Sequence, residues 1–230
     1  MDTRYSSPVR SRRPAQRKKL INWATIVASA APSTSILNSP IKAIFGTMAV
    51  AGCGAYSKIE GFAFLPITSF TIALTTFVGQ NLGAGEYART RKGARFGLWS
   101  GIIIAELIAV ITYLGAPVLV GAFTQEPEAI AFGVDKCHIC APFFCLLAAS
   151  HGFASILRGA GKSVIPMVAM LSFWCVLRVI FLQVAVPITN SINTVNWVYP
   201  LTWFCSTVFL LIYYLKADWI HAFAREKNEI

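Results

Sequence analysis

Gly61-Phe62-Ala63-Phe64-Leu65-Pro66-Ile67-Thr68-Ser69-Phe70-Thr71-Ile72-Ala73-Leu74-Thr75-Thr76-Phe77-Val78-Gly79 runs nineteen residues without a charge. About 20 apolar residues of helix cross the roughly 30 Å hydrocarbon core of a bilayer, so this run has the length of a membrane span. Its hydroxyls (Thr68, Ser69, Thr71, Thr75, Thr76) fit such a place, bonding helix to helix or lining a polar cavity. Working outward, four further runs qualify. Residues 96–120 carry one charge, Glu106, and 137–157 carry two histidines. Residues 163–189 are interrupted once, by Arg178, and 195–215 are uncharged. A sixth candidate, 20–44, is broken by Pro32 and Pro40, charged by Lys42 and diluted by Ser33, Thr34, Ser35, Asn38 and Ser39. It reads either as an imperfect span or as a signal peptide with a basic leader, an apolar run over 20–28 and a small-residue site at Ala28-Ser29-Ala30.

Composition points the same way. Hydrophobic residues make up 56% of the chain and charged ones 13%, with a mean hydropathy of +0.60. A soluble globule needs about 25% charged residues to cover its surface. The predicted fold is therefore all-α, a polytopic membrane helix bundle of about six transmembrane helices. Residues 1–19 form a basic cytoplasmic tail, 20–215 the membrane lobe, and 216–230 a cytoplasmic C-terminal tail.

The net charge of +10 suggests nucleic acid at first sight. Seven of the twenty basic residues, however, lie in the first nineteen positions, and the others sit almost entirely at the ends of apolar runs. No basic stripe interleaved with aromatics is present, so nucleic acid is excluded as a partner. Membrane orientation accounts for the charge instead. With the N-terminus inside, sixteen basic residues fall on the cytoplasmic side and three, Lys42, Lys58 and Lys136, outside. That asymmetry places both termini in the cytoplasm of a multi-pass plasma-membrane protein. Trp197 and Tyr199 then mark the outer end of the last span, and Tyr213, Tyr214 and Trp219 its inner end.

Several chemistries fail on spacing. Cys137-His138-Ile139-Cys140 lacks a second ligand pair, and the six cysteines read as small apolar thiols packed between helices, so no metal is expected. Gly159-Ala160-Gly161-Lys162-Ser163 ends like a phosphate loop, but Ile156 stands where the upstream glycine belongs and no strand precedes it. No nucleophile–base pair has a readable context. The chain is predicted to be no enzyme and to need no cofactor.

Two connections are distinctive. The first is Phe77-Val78-Gly79-Gln80-Asn81-Leu82-Gly83-Ala84-Gly85-Glu86-Tyr87, whose glycines let a helix end and turn sharply while Gln80 and Asn81 satisfy freed backbone groups. The second is Leu157-Arg158-Gly159-Ala160-Gly161-Lys162-Ser163-Val164-Ile165-Pro166-Met167, a tight helix–turn–helix with two cations for the inner headgroups. With the preceding Ala149-Ser150-His151, these connections resemble those of the multidrug and toxic compound extrusion (MATE) transporters, over residues 45–215. The resemblance is to the C-terminal one of that family's two six-helix lobes. Residues 1–44 do not look like the family's seventh helix.

The resemblance implies a secondary transporter lobe that exports organic cations or drugs by alternating access, in antiport with H⁺ or Na⁺. Its partners would be membrane lipids, the coupling ion, an organic cation substrate, and an N-terminal lobe or second copy of the chain. A truncated half without transport of its own and a lipid-linked saccharide flippase of the same superfamily stay open beside it. The flippase would want a more cationic cavity than Arg178 alone provides.

A charge near the bilayer centre costs about 2.5–3.5 kcal/mol on insertion scales, so each one needs a reason. Glu106, ten residues into its span, is the coupling-ion candidate. Arg178 is the intramembrane charge partner, pairing with Glu106 or snorkelling outward. His151 is a proton-relay candidate, and Gln80, Asn81, Gly83, Arg158, Gly159 and Gly161 are the loop-motif residues.

Overall fold

The computed structural model describes residues 38–189 and 191–220. The expectations for 1–19, 20–37 and 221–230 lie outside the described residues. In chain order the helices are α1 (Asn38–Gly83), α2 (Tyr87–Leu114), α3 (Ala116–Gly121), α4 (Pro127–Cys140), α5 (Phe144–Gly159), α6 (Val164–Met170), α7 (Arg178–Thr189) and α8 (Ile192–Lys216). A 3₁₀ turn over Ala141–Phe143 links α4 to α5, and a π-helical stretch over Leu171–Leu177 links α6 to α7. Among the described residues there is no strand. Five stretches are long and apolar enough to cross a membrane: Gly46–Gly83, Tyr87–Leu114, Pro127–Gly159, Val164–Ala185 and Ile192–Lys216.

All five uncharged or nearly uncharged runs thus fall in stretches able to span, and two of these stretches extend ten or more residues beyond the predicted run. The first starts at Gly46, where a backbone φ of 86° kinks α1, and continues unbroken through Lys58 and Glu60. The third starts at Pro127 and carries Lys136 within it. Lys136 counts as an outer-loop cation by sequence; in the structure it is 3% exposed. By sequence the charge marks the end of a span, whereas the fold buries it.

Small residues set the helix spacing. A Cβ on Gly52 of α1 would strike the Ala129 carbonyl and the Gly133 backbone of α4. At the other end of α1, a Cβ on Gly159 of α5 would lie 2.6 Å from the Thr75 carbonyl oxygen, and one on Gly79 would lie 3.4 Å from the Gly159 carbonyl. Backbones that approach this closely gain dispersion contacts that lipid cannot replace. Thr75 adds a hydroxyl donated to the Ser155 carbonyl at 3.2 Å across the same crossing.

The two motif connections share one geometry. Glu86 N–H donates to the Asn81 carbonyl and Lys162 N–H to the Leu157 carbonyl, both at 2.9 Å. Gly85 and Gly161 each hold φ at 79° just before these donors. This six-to-one bond closed by a left-handed glycine is a Schellman ending, and it satisfies the last carbonyls of α1 and α5 before the next helix begins.

Burial separates lipid-facing from central helices. The apolar window of Pro127–Gly159 is 67% buried, against 11% for Val164–Ala185, so α4 and α5 form the axis and α6–α7 the rim. Phe62, Ile72, Phe96, Leu114 and Val118 are all more than 65% exposed. Water would penalise that many bare apolar side chains, and lipid does not.

Candidate functional site

The interior of the lobe is a seam of polar and aromatic side chains set at helical spacing. Tyr56, Glu60 and Phe64 recur every fourth residue on α1, so they share one face. Lys136 and Cys140 do so on α4, and Trp174 and Arg178 across the π-to-α junction. Tyr199, Thr202, Trp203 and Ser206 line the inward face of α8.

Two cations meet in this seam. The Lys136 Nζ lies 4.4 Å from the ring centroid of Tyr199 and 5.0 Å from that of Tyr56. The Arg178 guanidinium carbon lies 4.4 Å from the same Tyr199 ring and 5.9 Å from Trp174. Arg178 Nη2 also donates to Thr202 Oγ1 at 3.2 Å. Faces of electron-rich rings attract a cation, and more strongly once water is excluded. Glu60, partly buried, is the carboxylate whose charge acts on Lys136, and it feels Arg178 as well. Among the described residues no ion pair within 4.0 Å joins these three groups.

His151 sits one layer further along α5. Its ring meets Phe64 edge-on at 4.9 Å and Trp174 at 5.2 Å with an 88° interplanar angle. Trp174 Nε1 donates to Ser206 Oγ at 3.3 Å, which fixes the indole against the imidazole. The Tyr56 hydroxyl, His151 Nε2, Arg178 Nε and Asn196 Oδ1 are buried without a hydrogen-bond partner among the described residues. Buried polar atoms are nearly always partnered, so His151 Nε2 and Arg178 Nε make this seam the candidate site.

Glu106 lies elsewhere, on α2, beside Cys145 of α5. Its Oε2 is likewise buried with no hydrogen-bond partner. Among the described residues no ion pair links it to Arg178, which is held by Thr202 and Tyr199 instead. The structure therefore brings Arg178 and His151 into one seam and leaves Glu106 outside it. Of the motif residues, Asn81 donates from Nδ2 to the Phe77 carbonyl at 2.7 Å, and Arg158 donates to Ser155 Oγ at 3.2 Å. Gln80 and Gly83 are exposed at the turn. Cys137 and Cys140 are buried free thiols.

Glu60 and Lys136 were not singled out by sequence. The signal was there: each is four residues from an aromatic or thiol that also faces inward, a period that loop residues do not keep.

The MatE family model matches residues 31–184. The chain belongs to the MatE family. Several MatE relatives and structures are similar to it. A Thermotoga maritima protein named "Probable multidrug resistance protein NorM" is 27% identical over 156 residues, 67% of this chain and 34% of that protein. The "FAD transporter" of Shewanella oneidensis is 24% identical over 118 residues, 47% of this chain and 26% of its own length. The solved structure titled "MATE transporter ClbM in complex with Rb+" overlays on 91% of this chain and 47% of its own, with a TM-score of 0.71 at 19% identity. At that identity the likeness shows the fold: this MatE chain is a polytopic helical bundle and a multi-pass membrane protein. It spans about a third of the length of the curated MatE relatives it matches.

Proposed function

We propose that the chain is one lobe, the C-terminal one, of a secondary transporter that exports organic cations or drugs by alternating access in antiport with H⁺ or Na⁺. A second lobe or a second copy of the chain closes the central cavity, and the basic turns face the cytoplasm of the plasma membrane. Family membership supports the transport class. The observation that carries the coupling is Glu106 Oε2, buried in a membrane helix with no hydrogen-bond partner among the described residues. An ionisable side chain inside a membrane helix marks an ion or proton pathway. Glu60, by contrast, already has Lys136 and Arg178 acting on it. The test is ethidium efflux from cells expressing the protein. Glu106→Gln abolishes cation-coupled efflux at unchanged expression; efflux equal to wild type removes Glu106 from the mechanism.

A second reading rests on Lys136. Two cations share the Tyr199 ring against one carboxylate, so the seam is more cationic than Arg178 alone would make it. Such a site favours cargo bearing an anionic group, as in the relative named an FAD transporter or a flippase for lipid-linked saccharides. Under this reading Lys136→Met reduces export of an anionic cargo and spares ethidium. Equal loss of both cargoes contradicts it.

A further inference from the structure

The end of the lobe that carries the two glycine turns holds a second built feature, remote from the seam. After α8 ends at Lys216 the backbone turns extended at Ala217, and the chain folds back so that Trp219 and Ile220 are 5% and 3% exposed. Trp219 stacks on Tyr214 at 5.4 Å and 26°. This returning segment forms one wall of a cavity of about 270 Å³, whose other wall is Arg91 and Arg95 of α2. A second, open hollow of about 420 Å³ runs along the same helix, bordered by Tyr87, Ala88 and Lys92 with these two arginines. Arg91 and Arg95 are four residues apart, so their guanidiniums project from one helix face and serve both spaces.

The surroundings identify what fits. Seven cations, Arg89, Arg91, Lys92, Arg95, Arg158, Lys162 and Lys216, sit at this end of the bundle against two acids, Glu86 and Asp218, whereas Glu126 and Glu128 stand at the opposite end. A basic end of this kind lies in the inner headgroup layer. Tyr214 and Trp219, amphipathic rings at the same level, mark the boundary between acyl chains and headgroups. Guanidinium forks match phosphate oxygens two at a time and do so better than a point charge. Asp218 also lines the smaller cavity, where two arginines face its single negative charge.

We infer that Arg91 and Arg95, which border both the hollow beside Trp219 and the one beside Tyr87, form a binding site for an anionic phospholipid headgroup of the inner leaflet. Two open hollows that share one arginine pair suit two phosphates joined by a short bridge, so diphosphatidylglycerol (cardiolipin) is the preferred occupant. Phosphatidylglycerol, with one phosphodiester, fills one side. Phosphatidylcholine, whose quaternary ammonium meets the guanidiniums, is disfavoured. Occupancy ties the C-terminal end of α8 to the start of α2.

The test uses the full chain purified in mild detergent, stripped of lipid, and mixed with cardiolipin, phosphatidylglycerol and phosphatidylcholine for native mass spectrometry. Wild type retains cardiolipin in preference to phosphatidylglycerol and both over phosphatidylcholine. Arg91→Gln with Arg95→Gln lowers retained cardiolipin at least tenfold. Arg89→Gln with Lys162→Gln removes the same charge from the same end and leaves retention within twofold of wild type. Monodisperse elution of both variants separates loss of binding from loss of fold. Equal retention by the Arg91/Arg95 variant, an equal loss in the Arg89/Lys162 variant, or displacement of the lipid by millimolar inorganic phosphate overturns the assignment.

Discussion

Lys136 and Arg178, 42 positions apart in the chain, stand at the same distance, 4.4 Å, from the ring of Tyr199. One aromatic face thus serves two cations inside a membrane lobe, and like charges there repel with little water between them. Lys136→Met relieves that repulsion and keeps the volume. The thermal midpoint in detergent is expected to stay level or rise, because replacing buried charge by packed apolar atoms is often neutral or stabilising. A midpoint that falls by several degrees would show that the ammonium holds the lobe together.

The α1–α5 crossing gives a graded prediction. Gly159→Ala pushes a methyl to 2.6 Å from the Thr75 carbonyl and 2.8 Å from Val78 Cβ. Overpacking of that kind costs about 1–3 kcal/mol. Gly79→Ala meets only the Gly159 carbonyl, at 3.4 Å, and is tolerated. Fluorescence-detected size exclusion after heating ranks the two; a reversed order refutes the crossing.

The two Schellman turns predict matched losses. Gly85→Ala and Gly161→Ala each place a side chain at a φ of 79°, which costs about 1–2 kcal/mol. Asparagine, which visits the left-handed region more readily, recovers part of that loss at either position. Equal stability of the alanine and asparagine variants would contradict the turn geometry.

His151 separates packing from transport. Phenylalanine keeps an aromatic ring against Phe64 and Trp174, so His151→Phe is expected to lower the thermal midpoint by no more than its larger volume costs, about 1–3 kcal/mol. If the imidazole relays protons, the same variant loses proton-driven efflux. Full efflux in His151→Phe would reduce the residue to a spacer.

Apolar run length sufficed for the membrane class and for the number of sound spans, because lipid forces every spanning segment to be a continuous helix. The glycine turns were legible too: Gly85 and Gly161 occupy positions that only their residue type enters freely. The ends of α1 and α4 were not legible, since Lys58, Glu60 and Lys136 look like solvated residues until a partner helix covers them. Pairing across the lobe was equally hidden. Nothing in the spacing of Glu106 and Arg178 says that Thr202 and Tyr199 hold the arginine, because that depends on how α7 and α8 rotate against each other.

The π-helical stretch Leu171–Leu177 ends directly before Arg178. Such a stretch stores one residue more than an α-turn of the same rise. Releasing that residue would swing everything after it by about 100°, the angle per residue of an α-helix. Arg178 would leave the Tyr199 face in a single step while α6 stayed where it is. The wide turn next to the helix's one charged side chain therefore decides which way that charge faces.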